Sequence, residues 1–309
     1  PEQVLSAGSG SVQIAGNLIQ GNSAGSGDGA GIRLSRINGQ DVNVSKQGNV
    51  TFDHVVDITN NMIVNNVAAL SGGGISLQDA LGANILHNTI ANNDNTSTAG
   101  DAFTPGTPDS SNPQPGAGIV SRAHSAGLAQ FLPATETFSN ATLVDNIIWQ
   151  NRMFSWVHDT TVIPAVTGLI PNISIGEPAV YDDLAVVGTA GDLICYACIL
   201  TGPDDPDFVA EYVNGNRNTT TVINEGTTSM QAPPAFDEGG NFIRLRYGPL
   251  TQVVSGSGQG AGNLHGDYHI QTGSPAMDAG IDAEVTGDFD GEPRPGGTDF
   301  DIGADEVQP

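Results

Sequence analysis

The feature that most constrains this chain is an internal repeat. Four segments align without gaps: Ile14-Ala-Gly-Asn17-Leu-Ile19-Gln-Gly-Asn22, Ile58-Thr-Asn-Asn61-Met-Ile63-Val-Asn-Asn66, Ile85-Leu-His-Asn88-Thr-Ile90-Ala-Asn-Asn93 and Leu143-Val-Asp-Asn146-Ile-Ile148-Trp-Gln-Asn151. A second element follows three of them: Gly29-Ala-Gly31-Ile32, Gly72-Gly-Gly74-Ile75 and Gly116-Ala-Gly118-Ile119. The apolar–x–apolar pieces have the period of short strands with one buried face. The Asn and Gly positions read as corners, where left-handed backbone is cheap for Gly and tolerable for Asn. Asn61 and Asn88 are 27 residues apart, close to one turn of a three-sided solenoid. Stacked turns would set equivalent asparagines about 4.8 Å apart, near enough for side-chain hydrogen-bonded ladders. The wider spacings elsewhere imply loops that protrude near residues 35–55, 94–115 and 122–140.

These N-x-I-x-x-N and GxGI segments, over about residues 10–152, resemble the right-handed parallel β-helix family of extracellular proteins. From about 160 to 235 the repeat fades into strand-like runs such as Leu184–Val187, Leu193–Tyr196 and Thr220–Ile223. Then come Gly273-Ser-Pro-Ala-Met-Asp-Ala-Gly280, Asp288-Phe-Asp-Gly-Glu-Pro-Arg-Pro295 and Asp301-Ile-Gly-Ala-Asp-Glu306. Their succession resembles the SPAIDAG…D-x-DG-x-x-RP…DIGA-x-E terminal module of bacterial β-helix surface proteins, a choice-of-anchor-like module. Met277 stands where that family has Ile, a volume-conserving swap. The resemblance implies an all-β chain: a right-handed parallel β-helix with loop insertions over 1–203, then terminal rungs and an irregular C-terminal cap module over 204–309. It also implies an extracellular or cell-surface location, and it supplies no reaction.

Composition narrows the partners. Thirty-four acids against nine bases give a formal charge of −25, which repels nucleic acid and polyanionic glycans and attracts divalent cations. No apolar run approaches the roughly 20 residues that a membrane helix needs. The chain opens on Pro1 without a charged-then-apolar leader, so a removed signal peptide or a longer parent polypeptide is expected. Cys195 and Cys198 form the sole cysteine pair, which allows a local disulfide or two buried thiols. Their strand-like flanks disfavour a redox dithiol.

Catalytic constellations are not apparent, so no catalytic residue is assigned. A lyase needs a basic proton abstractor, and Lys46, the one lysine, reads as a solvated loop cation; Arg33 and Arg36 also read as solvated. Asp182-Asp183 is an isolated loop pair, and His265 and His269 would need a helix to face one metal. Asp288, Asp290, Glu292, Asp299 and Asp301 instead form an oxygen-rich segment suited to Ca²⁺. The leading expectation is a non-catalytic structural or adhesive protein of a cell surface or extracellular matrix, meeting a glycan or surface partner and able to associate end to end into filaments. The alternatives are a polysaccharide lyase or glycoside hydrolase, and one domain of a larger surface polypeptide.

Overall fold

The computed structural model of the chain describes residues 4–107, 110–159, 161, 166–172, 177–212 and 266–308; the run Thr220–Ile223 and His265 lie outside them. Regular structure among the described residues is nearly all β. Helix is confined to a 3-10 turn, Gly100–Ala102, and one α-helical turn, Ala126–Ala129, capped by the Ser125 hydroxyl on the Leu128 N–H. Four sheets carry the repeat. The first joins Val12–Ala15, Val56–Thr59, Ala83–Leu86, Thr142–Val144 and Cys195–Tyr196. The second joins Leu18–Gln20, Met62–Val64, Thr89–Ala91, Ile147–Trp149 and Ile199–Leu200. The third holds Ser23–Ala24, Val67–Ala68, Asp94–Asn95 and Arg152–Met153, and the fourth holds Ile32–Ser35, Ile75–Gln78, Ile119–Arg122 and Leu184–Val187.

Every pair among those strands is parallel; one more strand, Val180–Tyr181, joins the third sheet antiparallel to Arg152–Met153. The chain passes through the first, second, third and fourth sheets in that order four times and starts a fifth level with Cys195–Tyr196. Register keeps like over like: Ile14, Ile58, Ile85, Leu143 and Cys195 share one column. Ile19, Ile63, Ile90 and Ile148 share another. Both columns point into one core, in which Ile58, Ile63, Ile85, Ile90 and Ile148 are fully buried.

Two asparagine ladders hold the levels together. Asn17, Asn61 and Asn88 each donate both backbone N–H and side-chain amide to Oδ1 of the asparagine one level on, ending at Asn146, at 2.9–3.1 Å. Asn22, Asn66 and Asn93 do the same toward Asn151 at 2.9–3.0 Å. Each fully buried amide is thereby satisfied, as a low-dielectric interior requires.

The ladder asparagines are not the left-handed residues, which corrects the corner reading. Positive φ belongs to the residue just before each: Gly16, Asn60, His87, Asp145 and Ala197 on one corner, and Gly21, Asn65, Asn92 and Gln150 on the other. The left-handed residue turns the chain outward, and the next amide then points in. In the glycine element the two outer glycines have different reasons. Gly72 has φ +68°, whereas a Cβ on Gly74 would sit 2.5 Å from the Gly118 carbonyl oxygen.

A fifth level escaped the sequence alignment. Cys195-Tyr-Ala-Cys198-Ile199-Leu200 is the repeat with cysteine at the ladder position, and the Asn146 N–H meets Cys198 Sγ at 3.3 Å. The two cysteines form a disulfide, which settles the open choice and locks this last corner. The other ladder ends on Asp183. It follows Gly31, Gly74 and Gly118 in register, and its carboxylate takes the Asn151 amide at 2.9 Å. Asp182-Asp183 does lie between strands, as expected of a loop pair, and Asp183 is a buried structural acceptor there.

The terminal module runs along the side of the stack, which departs from the expected cap. The outward side chains of the second sheet (Met62, Val64, Ala91, Ile147 and Trp149) are apolar, and Tyr268, Ile270, Ala276, Ile302 and Ala304 bury them. Leaving such a face in water is unfavourable by about 25 cal/mol per Å². The left-handed columns provide the polar dock: Asn60 donates to the Gly287 carbonyl, and Asn65 and Asn92 donate to the Tyr268 hydroxyl.

Candidate metal centre in the terminal module

The strand Asp267–Ile270 pairs antiparallel with Phe208–Ala210 and aims Tyr268 and Ile270 into the interface. Period two therefore sends His269 to the opposite, half-buried side. There the imidazole lies between carboxylates, Nδ1 to Asp267 at 2.5 Å and Nε2 to Asp290 at 2.8 Å. Burial works against its charge, but the hydrogen bonds to Asp267 and Asp290 and the nearby Asp305 carry its pKa above the usual imidazole range. Phe289 braces the ring edge-on. Asp305, only 8% exposed, completes a group whose ligand atoms all lie within 4.8 Å of one another; it is the one such His/Cys/Asp/Glu group among the described residues.

Of the five carboxylates expected to bind Ca²⁺, only Asp290 belongs to this group. Asp288 is buried, accepting the N–H groups of Asp290 and Glu292 on one oxygen and that of Glu306 on the other. Asp301 takes the N–H groups of Asp278 and Val307, and burial lifts its pKa to about 6. Asp299 bonds its neighbour Phe300, and Glu292 is exposed. Asp288 and Asp301 thus shape turns, and Arg294 has a comparable role. It is fully buried, pairs with Glu306 at 2.7 Å and donates to the carbonyls of Asp301 and Gly303. The charged residues of the terminal motif make one hydrogen-bonded framework.

A second buried pair joins module to stack. His87 Nδ1 faces the Asp301 carbonyl at 3.2 Å, so it carries the ring proton, and Nε2 faces Asp145 at 3.3 Å. Burial lowers His87 to about 3 and raises Asp145 to about 7. Below neutrality the pair is therefore two neutral groups, with the proton on Asp145, and not an ion pair. Asp145 also accepts the Ile281 N–H, tying the SPAMDAG turn to the fourth level.

The remaining candidates stay apart. Lys46 is exposed in the hairpin of Asn43–Val44 and Val50–Thr51, and Arg33 and Arg36 are exposed. His269 lies on a strand, and the other two members of the group, Asp290 and Asp305, lie far from it in sequence, so the spacing of histidines held no signal for the group. The alternation Asp267-x-His269, which a strand sends to one face, was the available clue. Among the described residues no helix is long and apolar enough to cross a membrane. No family model matches the chain, and no curated protein or solved structure matches it.

Proposed function

We propose that this chain is a right-handed parallel β-helix that serves as a non-catalytic scaffold at a cell surface or in an extracellular matrix. The observation that carries this reading is the double asparagine ladder through four levels, closed by a disulfide and by Asp183. Such a stack is stiff because every level is hydrogen-bonded to the next through side chain and backbone at both corners. The disulfide supports an oxidising compartment, and the charge of −25 supports a soluble, cation-attracting surface. Among the described residues the first strand of each of the four repeat sheets is paired on one side only, and Leu18 is 49% exposed there, which supports end-to-end association of copies.

The test has two arms. An epitope-tagged chain expressed in its own cells should be labelled by impermeant reagents, and the purified protein should lengthen into filaments with concentration in negative-stain images. Intracellular retention with reduced cysteines, or turnover of a glycan panel by the purified chain, would overturn the scaffold reading.

A further inference from the structure

We propose that His269 Nε2, Asp290 and Asp305 bind one divalent first-row transition ion, with Asp267 as the residue that positions the imidazole. This inference does not depend on the scaffold reading. The three ligands come from separate segments: the strand Asp267–Ile270, the turn after Asp288 and the final Asp301–Glu306 stretch. An ion there would tie together three parts of a module that has almost no regular structure.

Two independent observations point to a ligand. Asp267 accepts from Nδ1, which orients the ring and directs Nε2 to the other two acids, the arrangement of carboxylate, histidine and metal in known metal centres. Asp305 is more than nine-tenths buried, and the backbone N–H groups of Ile270 and Glu306 hold its carboxylate so that a ligand oxygen lies within 4.8 Å of those of His269 and Asp290. The described residues also place no lysine or arginine in ion-pair contact with Asp267, Asp290 or Asp305. Three carboxylates therefore converge on a single imidazole.

The donor set decides the class of ion. Ca²⁺ takes six to eight oxygens, and nitrogen is foreign to it. One imidazole and two carboxylates suit Zn²⁺, Mn²⁺ or Co²⁺, with water filling the positions on the solvent side, where Asp290 is exposed. On binding, the Nε2 proton passes to solvent and the lone pair goes to the ion, while Nδ1–H stays on Asp267.

The experiment uses the full chain, stripped with chelator and dialysed against Zn²⁺, with Co²⁺ as a spectroscopic probe. About one ion per chain is expected, with a higher melting temperature by mass action and a visible Co²⁺ band from mixed nitrogen–oxygen ligation. Asp290→Asn, at an exposed position, should abolish the band and weaken Zn²⁺ at least tenfold. Asp267→Asn should keep the stoichiometry but weaken binding roughly 10–100-fold. His269→Gln should behave as Asp290→Asn does. Absence of Zn²⁺ binding, binding indifferent to Asp290→Asn, or Ca²⁺ competing at equal concentration would each overturn the proposal.

Discussion

The stacked sheets and the terminal module stay folded by opposite means. In the stack one solution is repeated: an inward isoleucine, a left-handed corner residue and a ladder asparagine recur through the first four levels. The same hydrogen bonds serve Asn61, Asn88 and Asn146, so a position is understood from its column. In the module nothing recurs. Asp278, Asp288, Arg294, Asp301 and Glu306 each hold a different turn, and all but the exposed Asp278 do so from buried positions. The lesson concerns how a defect spreads. A ladder defect is felt on both neighbouring levels, whereas a module defect should release only the flank.

The strongest way to break this comparison is Asn88→Ala. The fully buried side chain serves Asn61 on one level, Asn146 on the other, and the carbonyls of Ile58 and Leu86. Each buried group left unpaired costs about 1–3 kcal/mol, so the sum approaches or exceeds the margin of a whole domain. The expected outcome is loss of soluble, strand-rich protein, measured by yield and circular dichroism. Normal yield with an unchanged melting curve would mean that the ladder is incidental.

Arg294→Ala should be severe but local. It leaves Glu306 buried without its cation, a defect of about 3–5 kcal/mol. Hydrogen exchange should accelerate in residues 266–308 and on the outward face of the second sheet, while Ile63 and Ile90 remain protected. Simultaneous loss of protection in both regions would show that the stack needs its flank.

The smallest effect, and the sharpest, is a pH dependence at the seam between the regions. Asp145 is protonated in the folded chain up to about 7 but ionises near 3.8 when unfolded. The unfolded chain thus binds fewer protons in that window, and this contribution is lost as pH rises through about 7. His87 has the opposite sign: neutral in the fold to about 3 and protonated below 6.5 when unfolded, it weakens the fold as pH falls. Between the ordinary carboxyl and imidazole values each state holds one proton on the pair, so stability should be flat there. Asp145→Asn offers His87 an amide N–H where the carboxyl proton was and removes only the first contribution. The melting temperature of the variant relative to the parent should climb from about pH 4 to 7 and then level. A difference that stays constant over that range would show that Asp145 is ionised in the fold.

Much of the stack was legible because its columns are visible as an alignment. The four aligned segments also held the corner geometry. His87-Asn88, Asp145-Asn146 and Gln150-Asn151 share only their second residue, which marks the ladder column as constant and the left-handed column as variable. Doublets such as Asn60-Asn61 and Asn65-Asn66 concealed that offset. The fifth level was hidden for a chemical reason, since cysteine replaced the asparagine that defined the pattern. The candidate site was hardly legible at all. Five neighbouring acids invited a calcium loop, but both oxygens of Asp288 and both of Asp301 were already needed by backbone N–H groups.

The sequence by itself determined the strand period, the buried isoleucine columns and the two ladders, because those interactions link equivalent positions of a repeat. Tertiary structure alone decided that the module lies along the flank, that His87 meets Asp145, and that His269 meets Asp290 and Asp305. The physical reason is that those contacts join residues with no periodic relation. They exist only because the apolar outer face of the second sheet has to be covered, and covering it brings distant acids and imidazoles out of water together.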